Sequence, residues 1–374
     1  MLIMQVCWTA EEGWRTEGEG DAGRKPDVVF YFASPKQFRD GARIVELKER
    51  FGDTPTLGCS TGGEILGTEV FEDSVVASAV WFSDTRISIQ SECVADGEES
   101  EAVGARLAAK LDRKDLAGVL VLSDGTKVNG TQLIKGLQAG FGGGVTIFGG
   151  LAGDGADFRT TYVDAGQAAP GVVAVAGFYG PRFRVSCGSF GGWLPFGPER
   201  RVTRSVGNVL YELDGEPALE LYKRYLGDEA ARLPASALLF PLRLQTSDGQ
   251  ALTRTIVGID ESAHSMTFAG DIPQGAVVQL MRSTIERLVD GAEEAAGQIE
   301  AKEGDRLSIL VSCIGRRLVL GQRTVEEVEA VADRLGENNR QIGFYSYGEL
   351  SPLGFVDRCE LHNQTMTIAT LGEV

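Results

Sequence analysis

Three stretches of this 374-residue chain follow one plan, and this repetition limits its possible folds more than any other feature. In each stretch an apolar, β-rich run precedes a helical segment, a glycine-rich turn and further strands. The first two copies cover residues 27–94 and 118–189, and the third begins at residue 307. Because a period of about 90 residues is too long for a solenoid, the pattern favours duplication of a β-α-β-β-β unit.

The alternation of many strands with few helices predicts a mixed α and β (α+β) protein. We expect mostly antiparallel sheets with flanking helices. The segment Gly191–Arg204 is rich in glycine and proline and interrupts the pattern, which predicts a domain boundary near residue 200. The expected organisation is an acidic N-terminal extension at residues 1–25, a first domain at 26–200 and a second domain at 201–374.

Four segments have the periodicity of amphipathic helices. They are Lys36–Phe51, Thr131–Phe141, Thr284–Glu300 and Thr324–Leu335. Thr324 is a plausible N-cap of the last helix, and Gly336 is placed to end it.

Composition and charge exclude several functional classes. Apolar residues make up 43% of the chain and the net charge is −17, so we expect a soluble protein that repels nucleic acid and anionic membrane surfaces. The N-terminus lacks the pattern of a signal peptide and no apolar run reaches ~18 residues, which predicts a cytoplasmic protein. Six cysteines without a CxxC pair and two histidines make a metal site improbable.

Five motifs stand in a fixed order along the chain. They are Leu57–Ile65 (LGCSTGGEI), Gly149–Gly155 (GGLAGDG), Tyr211–Ala218 (YELDGEPA), Gly343–Leu350 (GFYSYGEL) and Leu361–Thr365 (LHNQT). Together they resemble the FIST family of intracellular signal-transduction sensors, which has an N-terminal and a C-terminal domain. The likeness extends from about Asp27 to Leu371.

The resemblance implies a sensory module that binds a small ligand, with amino acids among the proposed ligands. Some members of similar architecture bind haem to sense nitric oxide. Members also occur fused to kinase, cyclase or methyl-accepting output domains. Since no residues remain here for an output domain, we expect the signal to pass to a separate partner such as a histidine kinase or a cyclase.

The first glycine-rich turn offers a candidate ligand site. Ser60, Thr61, Gly62 and Glu64 place hydroxyls, backbone amides and a carboxylate on one short segment. An amino acid needs such groups for its carboxylate and its ammonium. The alternative is a turn whose hydroxyls satisfy its own backbone.

The second copy offers a similar set. Gly150 permits close approach, and Asp154 could face a cation or cap an Asx turn. Ser123 and Asp124 end a buried strand, where functional loops often begin, although Asp-Gly is also an ordinary turn signal.

The second domain adds candidates of three kinds. Arg316 follows a strand and could hold a carboxylate by two hydrogen bonds, or lie in solvent. Tyr345, Tyr347 and Glu349 share one side of an extended segment and could form an ammonium-binding wall, or pack as ordinary strand aromatics.

His362 and Asn363 precede the last strand. The histidine could contact a ligand, ligate haem iron or be a structural residue with satisfied hydrogen bonds.

Enzyme chemistry ranks lowest. Gly58–Gly62 matches GxSxG, but a nucleophile elbow needs a helix directly after the serine, and here a strand follows. A thiol–imidazole pair of Cys313 and His362 would require spatial adjacency. We therefore predict a non-enzymatic sensor without a cofactor. A haem-based nitric-oxide sensor using His362 is the first alternative and a non-catalytic scaffold is the second.

Overall fold

The computed structural model describes residues 1–95, 99–245, 249, 251–300, 304–353 and 358–374. The α-helices are α1 (Pro35–Asp40), α2 (Ala42–Phe51), α3 (Ser100–Lys110), α4 (Gly130–Phe141), α5 (Ala218–Leu226), α6 (Ile285–Gly297), α7 (Ile314–Leu320) and α8 (Thr324–Leu335). Short 3-10 helices lie at Gly227–Arg232, Ala235–Leu239 and Gly321–Arg323. Within these ranges, no helix has the length and apolarity needed to span a bilayer.

The strands are given in chain order. Those of the first half are β1 (Leu2–Thr9), β2 (Gly13–Glu17), β3 (Val28–Ala33), β4 (Thr56–Ser60), β5 (Glu64–Leu66), β6 (Glu69–Phe71), β7 (Val75–Trp81), β8 (Arg86–Cys93), β9 (Leu116–Ser123), β10 (Thr146–Leu151), β11 (Val163–Asp164), β12 (Ala168–Ala169), β13 (Val172–Tyr179) and β14 (Phe183–Phe190). Those of the second half are β15 (Leu194–Pro195), β16 (Arg200–Val206), β17 (Val209–Leu213), β18 (Glu216–Pro217), β19 (Leu242–Gln245), β20 (Ala251–Arg254), β21 (Ile256–Asp260), β22 (Ser265–Phe268), β23 (Val277–Arg282), β24 (Arg306–Cys313), β25 (Asn339–Ser346), β26 (Gly348–Pro352), β27 (Cys359–His362) and β28 (Met366–Glu373).

Each of the three sequence repeats builds the centre of one sheet. The strand orders are β12-β11-β4-β3-β7-β1-β2, β27-β26-β10-β9-β13-β8 and β14-β28-β24-β25-β5-β6. In each centre the first strand of the repeat (β3, β9 or β24) pairs in parallel with the strand that follows its helices (β4, β10 or β25). Its other neighbour (β7, β13 or β28) is antiparallel. The helical crossover explains the parallel pair, since parallel neighbours cannot be joined by a tight turn.

The repeats also exchange strands in a cycle. The hairpin β5-β6 of the first repeat extends the third sheet, β11-β12 of the second repeat extends the first, and β26-β27 of the third repeat extends the second. Similarly, β8 and β14 each leave their own repeat and pair with the antiparallel strand of the next. The three repeats therefore form one interlocked unit with an approximate threefold arrangement.

The first and last strands of the chain lie at the point where the cycle of exchanged strands lacks a strand from the third repeat. The strand β1 pairs with β7 in the position that β8 and β14 take in the other sheets. The amino group of Met1 lies 3.9 Å from Oε2 of Glu373, near the end of β28. The N-terminal strand β1 thus fills, in the first sheet, the position that β8 and β14 fill in the second and third sheets.

Residues 194–282 form a separate lobe with its own sheet, ordered β20-β19-β23-β16-β17-β22-β21. Its apolar core includes Leu210, Tyr222 and Phe268. The rest of the described chain, which we call the body, has cores that combine residues of all three repeats, such as Leu57, Leu122 and Phe344 in one cluster. The α+β prediction with repeated units is confirmed.

Strand pairing in the structure crosses the predicted domain boundaries. Residues 1–25 were expected to be an acidic extension, but they contain β1 and β2, whose alternating apolar residues pack in the first sheet. The predicted second domain, 201–374, comprises the lobe and the third repeat, and the third repeat pairs with strands of the first half. Because the repeats exchange strands, each sheet of the body combines segments that are distant in sequence.

The helix predictions hold except at their ends and at one break. The predicted helix Lys36–Phe51 is two helices, because Gly41 has φ of 77° and interrupts the helical backbone. Thr284, not Thr324, is a helix N-cap, and its side chain accepts a hydrogen bond from the amide of Arg287. Thr324 is already helical because a 3-10 turn precedes it, and its hydroxyl donates to the carbonyl of Gly321.

Candidate functional site

The three glycine-rich turns meet in the body. The amide of Gly62 donates to the carbonyl of Tyr345 at 2.7 Å, and the amide of Tyr345 donates to the carbonyl of Gly63. The amide of Gly153 donates to the carbonyl of Ser60 at 2.9 Å. The turns that the sequence singled out as separate candidates are therefore one connected backbone network.

Two buried carboxyl groups occupy equivalent places in the first and third repeats. Glu64 accepts hydrogen bonds from the hydroxyl of Thr61 and from the amide and hydroxyl of Ser74. Glu349 accepts them from the hydroxyl of Ser346 and from the amide and hydroxyl of Thr365. Ser74 and Thr365 each stand directly before the antiparallel strand of their repeat, so each carboxyl group ties the turn to that strand.

Asp124 supplies the corresponding link in the second repeat. Its Oδ2 accepts from the amide of Gly171, which stands directly before β13. Its Oδ1 accepts from the amides of Thr126 and Lys127. The neighbouring hydroxyl of Ser123 donates to the carbonyl of Asp124. Asp124 therefore both orders the turn that follows β9 and ties it to the start of β13.

Ser60 and Gly150 are also enclosed. The hydroxyl of Ser60 donates to the carbonyl of Gly153 at 2.8 Å and accepts from the amide of Tyr162 at 2.9 Å. A Cβ atom at Gly150 would lie 2.6 Å from a methyl group of Val311. Both positions are thus occupied by contacts between repeats.

Arg316 is fully buried and paired with a carboxylate. Its Nη2 lies 2.7 Å from Oε2 of Glu327, which also accepts from Nε at 3.0 Å. The remaining guanidinium hydrogens reach the carbonyls of Gly191 and Leu288. The guanidinium proposed for a ligand carboxylate therefore already holds one from α8.

The polar atoms of Tyr345, Tyr347 and Glu349 meet different partners. The hydroxyl of Tyr345 donates to Oε1 of Glu327 at 2.9 Å. The hydroxyl of Tyr347 donates to Asp154, whose other carboxylate oxygen accepts from the amides of residues 159 and 160. Asp154 thereby holds its own loop in place, and the structure does not bring the three side chains together as one wall.

Burial raises the pKa of Glu64 to about 7 and that of Glu349 to about 8, although the hydrogen bonds from hydroxyls and amides lower both. The loss of hydration exceeds the gain from these donors. Both carboxyl groups therefore hold protons more tightly in the folded protein than in the unfolded chain.

We expect Glu349→Gln to change how stability depends on pH. An unfolded glutamate has a pKa of about 4.3, so between pH ~4 and pH ~8 the folded wild type binds the extra proton, and its stability falls as pH rises. One pKa unit corresponds to ~1.4 kcal/mol. The free energy of unfolding of wild type minus that of the variant should therefore fall by several kcal/mol between pH 5 and pH 9, measured by urea denaturation. The same change at the exposed Glu329 should leave the profile as it is. A difference that grows with pH would contradict the assignment.

His362 and Asn363 lie where the lobe meets the body. The ring of His362 is buried, and its Nε2 donates to the carbonyl of Ser351 at 3.0 Å. Burial lowers the pKa of His362 to about 4, so the ring is neutral at physiological pH. The Oδ1 of Asn363 accepts from the amide of Thr255 in the lobe.

A cavity of about 170 Å³ opens beside His362, and we call it the seam cavity. The body contributes His362 and Thr365, while the lobe contributes Arg243 and Thr253. Its apolar lining is Phe190, Trp193, Leu252, Met281 and Leu353. Among the predicted site residues, only His362 borders this cavity.

Comparison with known proteins identifies the architecture. The FIST N domain matches residues 27–216, and the FIST C domain matches residues 218–352. The chain belongs to the FIST family. FIST domains are associated with signal-transduction sensing. An uncharacterized protein of Methanocaldococcus jannaschii is 26% identical over 358 residues, covering 84% of this chain and 66% of that protein. The match thus spans about two thirds of the relative's length.

Haem does not fit the residues of this FIST protein that could hold it. The Nε2 of His362 is engaged by a backbone carbonyl, so only Nδ1 could face iron. The cavity of about 170 Å³ is smaller than the ~300–1,000 Å³ of ordinary cofactor pockets.

The two candidate nucleophiles, Ser60 and Cys313, are buried. The hydroxyl of Ser60 is engaged by a carbonyl, and burial raises the pKa of Cys313 well above the usual range of a thiol. Neither side chain hydrogen-bonds to His362 in the described part of the chain.

Two residues that line the seam cavity, Trp193 and Arg243, were not among the predicted site residues. Trp193 lies in the glycine-rich segment that was interpreted only as a boundary, although an isolated tryptophan there could have suggested a binding surface. Arg243 lies on a short strand with no distinguishing motif. Only the packing of the lobe against the body places it in the same cavity wall as His362.

Proposed function

We propose that this FIST protein is a cytoplasmic sensor that binds a small organic ligand, an amino acid or a related metabolite, in the seam cavity. The signal passes to a separate partner protein such as a histidine kinase or a cyclase. The observation that carries this proposal is the cavity itself, in which polar side chains of the body and the lobe face a common apolar wall. Ligand sites often occur at such boundaries between structural units.

The contacts across the seam support a role in transmitting the signal. The lobe has its own apolar core, and polar contacts help to hold it to the body. Nη1 of Arg254 donates to the carbonyl of Leu361 at 2.9 Å, and Nδ2 of Asn129 donates to Asp271 at 2.7 Å. A ligand that touches both sides would favour one relative position of lobe and body in proportion to its differential affinity for the two positions.

A thermal-shift screen of the twenty amino acids and of small carboxylates tests the proposal. A ligand at 100 times its dissociation constant stabilises the folded state by ~2.7 kcal/mol, so we expect a shift of several degrees for at least one compound. In Ala251→Trp, a bulky ring at an exposed position of the cavity lining should abolish that shift. The same change at the exposed Ala263, on a distant turn of the lobe, should preserve it. A flat screen, or a shift that persists in Ala251→Trp, would contradict the proposed site.

A further inference from the structure

Resting on the proposed function, we infer that the seam cavity binds a small apolar monocarboxylate through Arg243 and discriminates against zwitterionic amino acids. The charges that face the cavity and the chemistry of its wall distinguish these two classes of ligand.

The cavity has a cation, Arg243, with no acidic side chain beside it among the described lining residues. Arg243 is half-buried on β19, and within the described part of the chain its guanidinium makes no ion pair or hydrogen bond. None of the described residues that line the cavity is an aspartate or a glutamate. A guanidinium in this state can hold a carboxylate by two parallel hydrogen bonds.

Among the described residues, the other ionisable groups that border the cavity or lie directly behind its wall are His362 and Glu349. The ring of His362 is neutral at physiological pH and adds no charge. Glu349 lies behind Thr365, which donates to it at 2.8 Å, and its raised pKa keeps it largely protonated near pH 7. The buried Arg254 adds a second positive charge close to His362, with the acids Glu360 and Asp271 also near Arg254. The described groups that line the cavity therefore favour an anion over an ammonium group.

The wall suits a hydrocarbon body of modest size. Trp193 and Phe190 provide aromatic surface, and Leu252, Met281 and Leu353 provide aliphatic surface. A dry engineered cavity of ~150 Å³ accepts benzene, so about 170 Å³ accommodates a body of similar size. An amino acid of this size would bring an ammonium group that loses water without gaining a counter-charge, which is costly.

Titration calorimetry with two matched sets of ligands tests the inference on the full chain. Each set keeps one hydrocarbon skeleton and changes its polar groups: isocaproate, leucine and isoamylamine, and hydrocinnamate, phenylalanine and phenethylamine. We expect at least one carboxylate to bind about tenfold or more tightly than its amino acid, and the amines to bind least.

Variants of Arg243 and of the control residue Arg282 test whether Arg243 binds the carboxylate. Arg243→Gln should weaken carboxylate binding about tenfold or more, and Arg243→Lys, which keeps the charge but not the planar fork, should weaken it less. Arg282→Gln removes the same charge from an exposed side chain that stacks over Phe196, and it should change affinity little.

The outcomes separate the two proposals. An amino acid or amine that binds as tightly as its carboxylate, with binding abolished by Ala251→Trp, overturns the inferred ligand class but retains the seam cavity as the site. Carboxylate binding that is equal in wild type and Arg243→Gln also overturns the inference. Binding that persists in Ala251→Trp overturns the cavity as the site. Absence of binding by all six compounds overturns the inference, and the broader thermal-shift screen then decides the proposed function.

Discussion

Replacing Gly149 by alanine should destabilise the protein by about 3 kcal/mol or more, or prevent its folding. The new Cβ would lie 2.0 Å from the carbonyl oxygen of Val121, and this atom belongs to the neighbouring parallel strand. Backbone cannot move aside as a flexible side chain can, and overpacking of this kind costs ~1–3 kcal/mol. The φ of 136° at Gly149 adds conformational strain of a further ~1–3 kcal/mol.

The same collision exists in the other repeats. A Cβ at Gly58 would lie 2.5 Å from the carbonyl oxygen of Tyr31, and one at Gly343 would lie 2.1 Å from that of Leu310. In all three sheets this glycine is the register partner of the residue whose carbonyl it would strike. The first glycine of each of the three repeat motifs, Gly58, Gly149 or Gly343, is therefore required by close contact between two parallel strands.

Urea denaturation of Gly149→Ala against Gly143→Ala tests this explanation. Gly143 is exposed, and a Cβ atom there would have nothing within 4 Å. Surface changes of this kind usually alter stability by less than ~0.5 kcal/mol. Equal stabilities of the two variants would show that the strand contact does not require glycine.

Replacing Glu327 by glutamine should cost about 3–5 kcal/mol of folding free energy. Glu327 is fully buried, and its carboxylate accepts from Arg316, from the hydroxyl of Ser312 at 3.0 Å and from that of Tyr345 at 2.9 Å. The variant would leave the guanidinium of Arg316 buried without its counter-charge. Loss of the charge is the main expected cost, because glutamine has nearly the same shape.

The neighbouring Glu326 provides a matched control on the same helix. It pairs with the half-exposed Arg323 at 2.7 Å, and Glu326→Gln should cost less than ~1 kcal/mol because such pairs are screened by solvent. The double variant Arg316→Met with Glu327→Leu should lose less folding free energy than the sum of the losses in Arg316→Met alone and Glu327→Leu alone. Additive costs in this double-mutant cycle, measured by urea denaturation, would contradict a coupled buried pair.

These contacts change the interpretation of several predicted site residues. Glu64, Arg316 and Glu349 were selected because their charges could meet a ligand, and the structure shows each charge or carboxyl group engaged within the body. The sequence does not distinguish a ligand-binding residue from one that joins repeats, because both roles call for a polar group beside glycine in an apolar segment. Burial distinguishes the two roles, and burial depends on the assembled sheets.

The sequence alone determined the features that depend on neighbouring residues. Strand and helix periodicity predicted the α+β class and the helices at residues 131–141 and 324–335, and the repeated motifs predicted three related units. The glycine-rich turns were recognisable because a close backbone approach excludes side chains at fixed places in each unit. Such requirements are local, so a single copy of the pattern contains them.

Only the tertiary structure decided which sheet each strand joins. The strands of the hairpins β5-β6 and β11-β12 have only two or three residues, and nothing in these segments or in β26-β27 says that each pairs with another repeat. Tertiary packing also buries the pair of Glu327 and Arg316, and it brings Arg243 of the lobe into the cavity wall that His362 of the body lines. Alternation of side chains specifies which face of a strand is buried, whereas the identity of its partner follows from how complete sheets pack around a shared core.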